Sequence, residues 1–458
     1  MSIILPSIIR PQAATMKISP TLEINELVAE ARASGQNVVH LGFGEATFPL
    51  PPAILDEHRK HVASTSYMPV AGLSELRESI ATFSTRRLGV LVEPEQVVVA
   101  PGSKPLLFAL FDILEGDVLL PRPSWVSYGP QVNHAGKQLF WVETEDDRHT
   151  ITETSLNAAF DGAIAAGANP RIMLTNTPSN PTGRAFDEAT ITVISDFCRG
   201  KGIVLISDEI YSDLCYDPDF SRLSPYTQLT TENEGQSTTC IITGGLSKTY
   251  SAGGWRIGYS IFPRSVAGQA LQSAVLSYAS ENWSAASAPA QKAAALAFQP
   301  SAEMDLYRQR AVTLHRACTT RLYSALAGLG LDVPEPQGAF YLYPSFSPWT
   351  AQLQYLGVHD SNALAKWLIR EFGVATLPGT AFGEDDMDGP PAGRYRLRMA
   401  TSYLYFENEQ ERYVRGFGLM EDAAEGKEVA LPMLEEAVAR LKTVIERLKG
   451  IKVEKIDW

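Results

Sequence analysis

The chain is poor in cysteine. Its 458 residues hold four, Cys198, Cys215, Cys240 and Cys318, and no two form a CxxC pair. That argues against a disulfide framework or a thiolate zinc site and suits a reducing, cytoplasmic setting. Positive charge is also short. Lys and Arg number 39 against 52 Asp and Glu, a net charge of −13. A general nucleic-acid binder needs the opposite balance, which still leaves room for a local cationic pocket around a small anion. His58 and His61 stand three apart with Arg59 and Lys60 between them, and read as a solvated helix face rather than a metal site. Long apolar runs are absent. LLFALFDIL at 106–114 carries Asp112 and is far below spanning length, and the opening MSIILPSIIRPQ is too short and too broken by proline for a secretory signal or a membrane span. No internal repeat is visible.

What is present is an ordinary globular balance, with 45% hydrophobic and 20% charged residues. The length suggests one large domain and a smaller one. From about 95 to 265, short apolar runs alternate with helical patterns. VVVA (97–100), VLL (118–120), IMLT (172–175), IVLIS (203–207), CIITG (240–244) and YSIF (259–262) read as buried strands, and 103–115 and 187–200 as helices. Unbroken apolar strands of this kind suit a mainly parallel sheet covered on both faces, so the fold class is α/β. Residues 16–35 read as a helix capped near Ser19 with Pro20 at its start. After about 305 come a long helix (303–329), a strand-like GAFYLYP (338–344), a helix (361–372) and a glycine-rich turn LPGTAFG (377–383). The stretch 407–428 reads as polar and irregular, and an amphipathic helix follows with Leu434, Val438, Leu441, Ile445 and Leu448 on one stripe.

The chemistry gathers at strand ends. In GGLSKTYSAGGWRIGY (244–259), Lys248 sits among small residues and Arg256 follows eight positions later. A lysine of lowered pKa forms Schiff bases with carbonyl groups, and a phosphorylated carbonyl cofactor also needs an anion site. Arg256 offers one part of it. Gly102, Ser103 and Lys104, between strand VVVA and a helix, offer amides and a hydroxyl, or else form only a tight strand-to-helix turn. Asp208 in ISDEIY follows a buried strand, where ligands sit in doubly wound sheets. It is placed to hold a protonated ring nitrogen, or to cap a helix. Tyr211 lies one turn on, Asn180 ends the turn TNTPSN, and Trp125 lies in PRPSWVSY.

Taken together, GGLSKTYSAGGWRIGY, SNPTG and SDEIY resemble the class I aminotransferases of the aspartate aminotransferase superfamily, the fold type I pyridoxal phosphate (PLP) enzymes, over about residues 18–403. The resemblance implies a large domain (51–305) with a mainly parallel, seven-stranded sheet flanked by helices. It also implies a smaller α/β domain drawn from both termini, with 1–50 packing on 306–458. It implies PLP as cofactor, an amino acid and a 2-oxo acid as substrates, and pyridoxamine phosphate as the amino-group carrier. Lys248 resembles the lysine that holds PLP and moves the proton. Asp208 resembles the partner of the pyridine nitrogen, and Asn180 and Tyr211 the donors to the ring's phenolic oxygen. Trp125 matches the stacking aromatic. Gly102, Ser103, Lys104 (by its backbone) and Arg256 match the phosphate cradle. Arg396, in RYRLRMA, matches the arginine that forks onto the substrate carboxylate. Arg398 is a rival, but Arg396 has the family's distance to Ala400. Gly44, in LGFGEATF, matches a pocket glycine. Tyr67, in SYMPVAG, resembles a tyrosine that reaches the neighbouring subunit's phosphate, which implies a homodimer with shared sites.

Two departures stand out. Ala46 and Thr47 replace the family's usual proline and aspartate, and 404–431 reads as an insertion, either a flap over the site or a surface loop. The aromatics where it begins, Tyr403 just before it and Tyr405 and Phe406 within it, are expected to wall the substrate pocket. The motifs leave open a PLP-dependent lyase, cyclase or oxidase, and a non-catalytic binding module. No second arginine for a dicarboxylic substrate is legible, and SYASENWSAAS (277–287) holds no basic residue.

Overall fold

The computed structural model describes residues 8–14, 16, 18–144, 148–230, 239–386 and 395–452. The first seven residues of the opening stretch lie outside them. Near the N-terminus, a helix spans Pro20–Ala33, shorter than the expected 16–35, and Ser19 precedes it without a side-chain cap. Strand β1 (Val39–His40) follows.

The central sheet comprises β2 (Val97–Ala100), β3 (Asp117–Arg122), β4 (Leu139–Glu143), β5 (Pro170–Asn176), β6 (Val204–Asp208), β7 (Cys240–Gly245) and β8 (Gly258–Ile261). Their order is β2-β8-β7-β6-β5-β3-β4, and only β8 runs against its neighbours. Six of the seven were legible as apolar runs. The seventh, β4, was not, because LFWVE is half exposed at the sheet edge and lacks an unbroken apolar core. Within the strands the side chains alternate between two cores. Val97, Val99, Leu119, Met173, Leu205 and Ile242 join one; Val98, Leu120, Leu174, Ile206 and Ile241 join the other. Both faces are therefore covered, and fully burying each such side chain contributes about 1.5–3 kcal/mol. The carboxyl ends of β2, β3, β5, β6 and β7 share one edge, where the ligand crevice of such a sheet lies.

A second group of short strands joins distant parts of the chain. β9 (Tyr341–Leu342), β10 (Val374–Ala375), β11 (Leu377–Pro378) and β12 (Leu397–Ala400) lie far along the sequence, yet β1 pairs with β10 in parallel. β12 lies antiparallel between β11 and β9. Only two residues of GAFYLYP are strand, and TAF in LPGTAFG forms part of a short 3-10 turn, Gly379–Phe382.

The reading of 407–428 is corrected. Glu409–Ala424 is a helix, with the Asn408 side chain accepting from the Glu411 amide at its start. Its dense charge masks the helical stripe Gly416, Leu419, Met420 and Ala423, which is buried. It packs on the Ala302–Gly328 helix, so this stretch is neither a flap nor a plain loop. Pro432–Lys449 forms the amphipathic helix expected beyond it. Among the described residues no helix is long and apolar enough to cross a membrane.

Candidate active site

A cavity of about 520 Å³ opens at the carboxyl edge of the sheet. β7 ends in two glycines, and three residues further on Lys248 is half-buried, its Nζ donating to the Gly44 carbonyl at 2.6 Å. Burial lowers its pKa to about 8, and the Arg398 guanidinium pushes the same way. About a tenth of this amine is thus free base at pH 7, far more than for an ordinary lysine.

Asp208 is the last residue of β6 and is buried. No α-helix starts there, so it is not a helix cap; a turn leads into the short 3-10 helix Ser212–Leu214. The carboxylate accepts from Tyr128 Oη at 2.7 Å and Thr243 Oγ1 at 3.0 Å. Burial still lifts its pKa to about 6, against both hydrogen bonds. The cost of holding this charge out of water falls if a cation comes to lie beside it. The next residue, Glu209, forms a buried ion pair with Arg87 at 2.5 Å and anchors the end of β6 to the Ser74–Leu88 helix.

The Asn180 side chain is buried, and Tyr211 Oη lies 2.6 Å from Tyr341 Oη. Trp125 is half-buried at the cavity wall, with Lys104 Nζ 4.9 Å from its ring centre. Gly102 precedes the Ser103–Ile113 helix at φ +91, and a Cβ there would collide with the Arg256 guanidinium. A Cβ on Gly258 would strike Gly102 and the Ser103 amide. The close approach of these backbones brings a helix N-terminus, its amides and Arg256 together, a ready anion cradle. Ser247 lines the same cavity and was not singled out, although it directly precedes Lys248. Tyr128 and Tyr341 were also missed, since nothing in their local sequence marks them.

The structure lines the cavity with Arg398 and not with Arg396, the arginine expected there. Both arginines lie on or beside β12 two residues apart, so the strand period puts them on one face, separated along its length. Arg396 donates to the Tyr343 carbonyl at 3.1 Å and pairs with Asp332 at 2.9 Å. Arg398 instead reaches the cavity, donating to Asn180 Oδ1 at 3.2 Å and the Gly42 carbonyl at 2.6 Å. It is 2% exposed, forms no ion pair among the described residues, and its Nε has no hydrogen-bond partner.

The aromatic opening of 404–431 is corrected too. Tyr405 is buried in the core, where its Oη lies 2.7 Å from His315 Nδ1, and Phe406 packs on the same core. Only Tyr403 reaches the site's margin, donating to Glu45 at 2.7 Å. Tyr67 is 97% exposed and does not line its own chain's cavity. Gly44 does line it.

The residues fit pyridoxal phosphate. A half-buried amine, a buried carboxylate costly to ionise alone and an anion cradle that a single Cβ would fill surround one cavity. Comparison with known proteins agrees. The family model for aminotransferase class I and II matches residues 36–403. An aspartate aminotransferase of Geobacillus stearothermophilus is 34% identical over 415 residues, which cover 88% of this chain and 97% of that protein. A probable aspartate/prephenate aminotransferase of Aquifex aeolicus is 31% identical over 90% of this chain and 97% of its own. The solved aspartate aminotransferase of Thermus thermophilus with maleate superposes with a TM-score of 0.78 at 27% identity, covering 96% of this chain and all of that one. With fold, cavity and relatives in agreement, the chain belongs to the class I and II aminotransferase family, as a PLP-dependent transaminase.

Proposed function

We propose that this transaminase takes its amino group from an acidic amino acid of the aspartate class, with Lys248 as the cofactor-bearing and proton-moving residue. The observation that carries the reading is the set of cations around one cavity: Lys104, Lys248, Arg256 and Arg398. Lys248 holds the cofactor. Arg256, with the amides of Ser103 and Lys104 and the Ser247 hydroxyl, holds its phosphate. Arg398, buried and without an acidic partner among the described residues, takes the substrate α-carboxylate through its fork. The Lys104 side chain is left for a second carboxylate. Several relatives are named aspartate aminotransferase, and the Thermus thermophilus structure was solved with maleate, a dicarboxylate, which supports the same class.

Bound at this site, pyridoxal phosphate supplies an aldehyde that condenses with amines and a ring that accepts the electron pair released at the substrate Cα. Asp208 would hold a proton on the ring nitrogen. Asn180 and Tyr211 would offer hydrogen bonds to its phenolic oxygen, and Trp125 would pack against its ring. The Lys248 amine would hold the cofactor and would serve as the base that moves the substrate Cα proton. Gly44 leaves room for the substrate beside Lys248. Tyr67, exposed on its own chain, reaches the phosphate of a second copy, so the active unit is a homodimer. The division into a large domain over 51–305 and a smaller one from both termini is part of this reading. Four buried, unpaired cysteines support a cytoplasmic setting.

The overall test is a donor screen read by the mass of the 2-oxo acid produced. L-aspartate or L-glutamate should show the highest kcat/KM, and a neutral aliphatic donor that outpaces both would sink the acidic reading. Lys104→Met should lower kcat/KM for acidic donors about tenfold or more while changing that for L-alanine less than about threefold. An equal loss for both would assign Lys104 to the cofactor alone. Asp208→Asn should retain the cofactor yet lose about 100-fold or more in kcat, since a neutral amide cannot hold the nitrogen's proton. Near-normal turnover in that variant would remove Asp208 from the chemistry.

A further inference from the structure

We propose that Arg412 is a positioning residue for transamination, clamping the substrate wall Gly44–Phe48 against the loop that carries Lys248. The proposal rests on the reading of Lys248 and Gly44 given above. Arg412 lies in the first turns of the Glu409–Ala424 helix, none of whose residues lines the cavity. Its Nε donates to the Phe48 carbonyl at 2.8 Å and its Nη2 to the Ser251 carbonyl at 3.4 Å. The Phe48 amide donates to Ser251 Oγ at 3.0 Å. One guanidinium and one hydroxyl thus lock together two segments far apart in sequence. Ser251 lies three residues after Lys248 and has φ +54, a conformation that non-glycine residues hold only where their surroundings impose it.

The wall itself lacks ladder hydrogen bonds; residues 42–51 have no regular secondary structure. Side chains fix it instead. Lys248 Nζ donates to the Gly44 carbonyl, the Thr47 hydroxyl to the Ser402 carbonyl, and Tyr403 to Glu45. Past Phe48, the Pro49 carbonyl accepts from Tyr307 at 3.0 Å, and Pro49 packs so closely on Gly416 that a Cβ there would lie 2.6 Å from its ring. Among the described residues Arg412 forms no ion pair, so its charge is spent on main-chain carbonyls. Removing it frees the far end of a wall whose near end touches the catalytic amine. A shift of about 1 Å in such a wall is enough to cost ten- to a hundredfold in rate or binding.

The experiment compares wild type, Arg412→Met, Arg412→Lys and Arg415→Met. Arg415 pairs with Glu411 on the same helix and touches neither segment. In holoenzyme, Arg412→Met should raise the KM for L-aspartate about tenfold. Arg412→Lys, which keeps one charged donor, should recover most of that, and Arg415→Met should match wild type. In cofactor-free protein, the pH midpoint for acylation of Lys248, followed by peptide mass, should rise from about 8 in Arg412→Met as water enters. Arg398, Arg256, Glu45 and Asp208, the charged groups that face Lys248, are unchanged in that variant, so the rise reports the wall. A folded Arg412→Met with wild-type KM and midpoint overturns the proposal. Where that variant does not fold, Ser251→Ala, which removes the acceptor of the Phe48 amide, should give the same KM rise, and its absence overturns the proposal equally. Borohydride-reduced wild type labelled away from Lys248 would instead overturn the functional reading beneath it.

Discussion

Lys248→Ala is expected to remove transamination, lowering kcat by about ten-thousandfold or more, with the fold intact. The side chain makes one described hydrogen bond, to the Gly44 carbonyl, and lines a cavity, so unfolding does not account for such a loss. Two roles vanish at once: the amine that holds the cofactor and the base that moves the Cα proton. Borohydride reduction of the wild-type holoenzyme should fix a pyridoxyl group on the single peptide that contains Lys248. A label on Lys104, which lies at the same cavity, or on Lys292 would sink the assignment. An exogenous small amine should restore part of the proton transfer in the alanine variant, because that step needs only a base of suitable pKa in the space left behind.

The second large effect separates Arg398 from Arg396. Arg398→Lys should cut kcat/KM for the amino donor about 100-fold, because a point charge replaces a fork that grips a carboxylate in two places. Arg396→Lys should change kcat/KM by less than about threefold, since Arg396 does not line the cavity. Steady-state kinetics on the two variants, with cofactor content measured by absorbance, decides between them. The reverse ranking would return the carboxylate to Arg396, and equal losses would mean that the strand's geometry, not either guanidinium, had been disturbed.

These two expectations mark where sequence and structure each had authority. The cavity residues were legible because each ends or follows a buried strand: Gly102–Lys104 after β2, Trp125 after β3, Asn180 after β5, Asp208 at the end of β6 and Lys248 after β7. A parallel sheet brings those ends to one edge whatever the details of packing, so local motifs sufficed. The helix over Glu409–Ala424 escaped notice for a different reason. Its charges dominate the composition, and its buried stripe has meaning only against the Ala302–Gly328 helix that covers it.

The choice between Arg396 and Arg398 lay beyond the sequence. Residues two apart on a strand share a face, so alternation cannot rank them. The ranking came from register: β12 pairs Arg398 with Leu377 of β11, beside Asn180 and Gly42, while Arg396 bridges to Ser345 near Asp332. The same holds for Tyr341 against Tyr211, for Tyr405 in the core rather than the pocket, and for Arg412 on Phe48 and Ser251. The sequence by itself determined the fold class and the residue types at the cavity. Which cation faces the cavity, and what holds the wall beside it, was decided by pairings between segments hundreds of residues apart, and no local pattern encodes those.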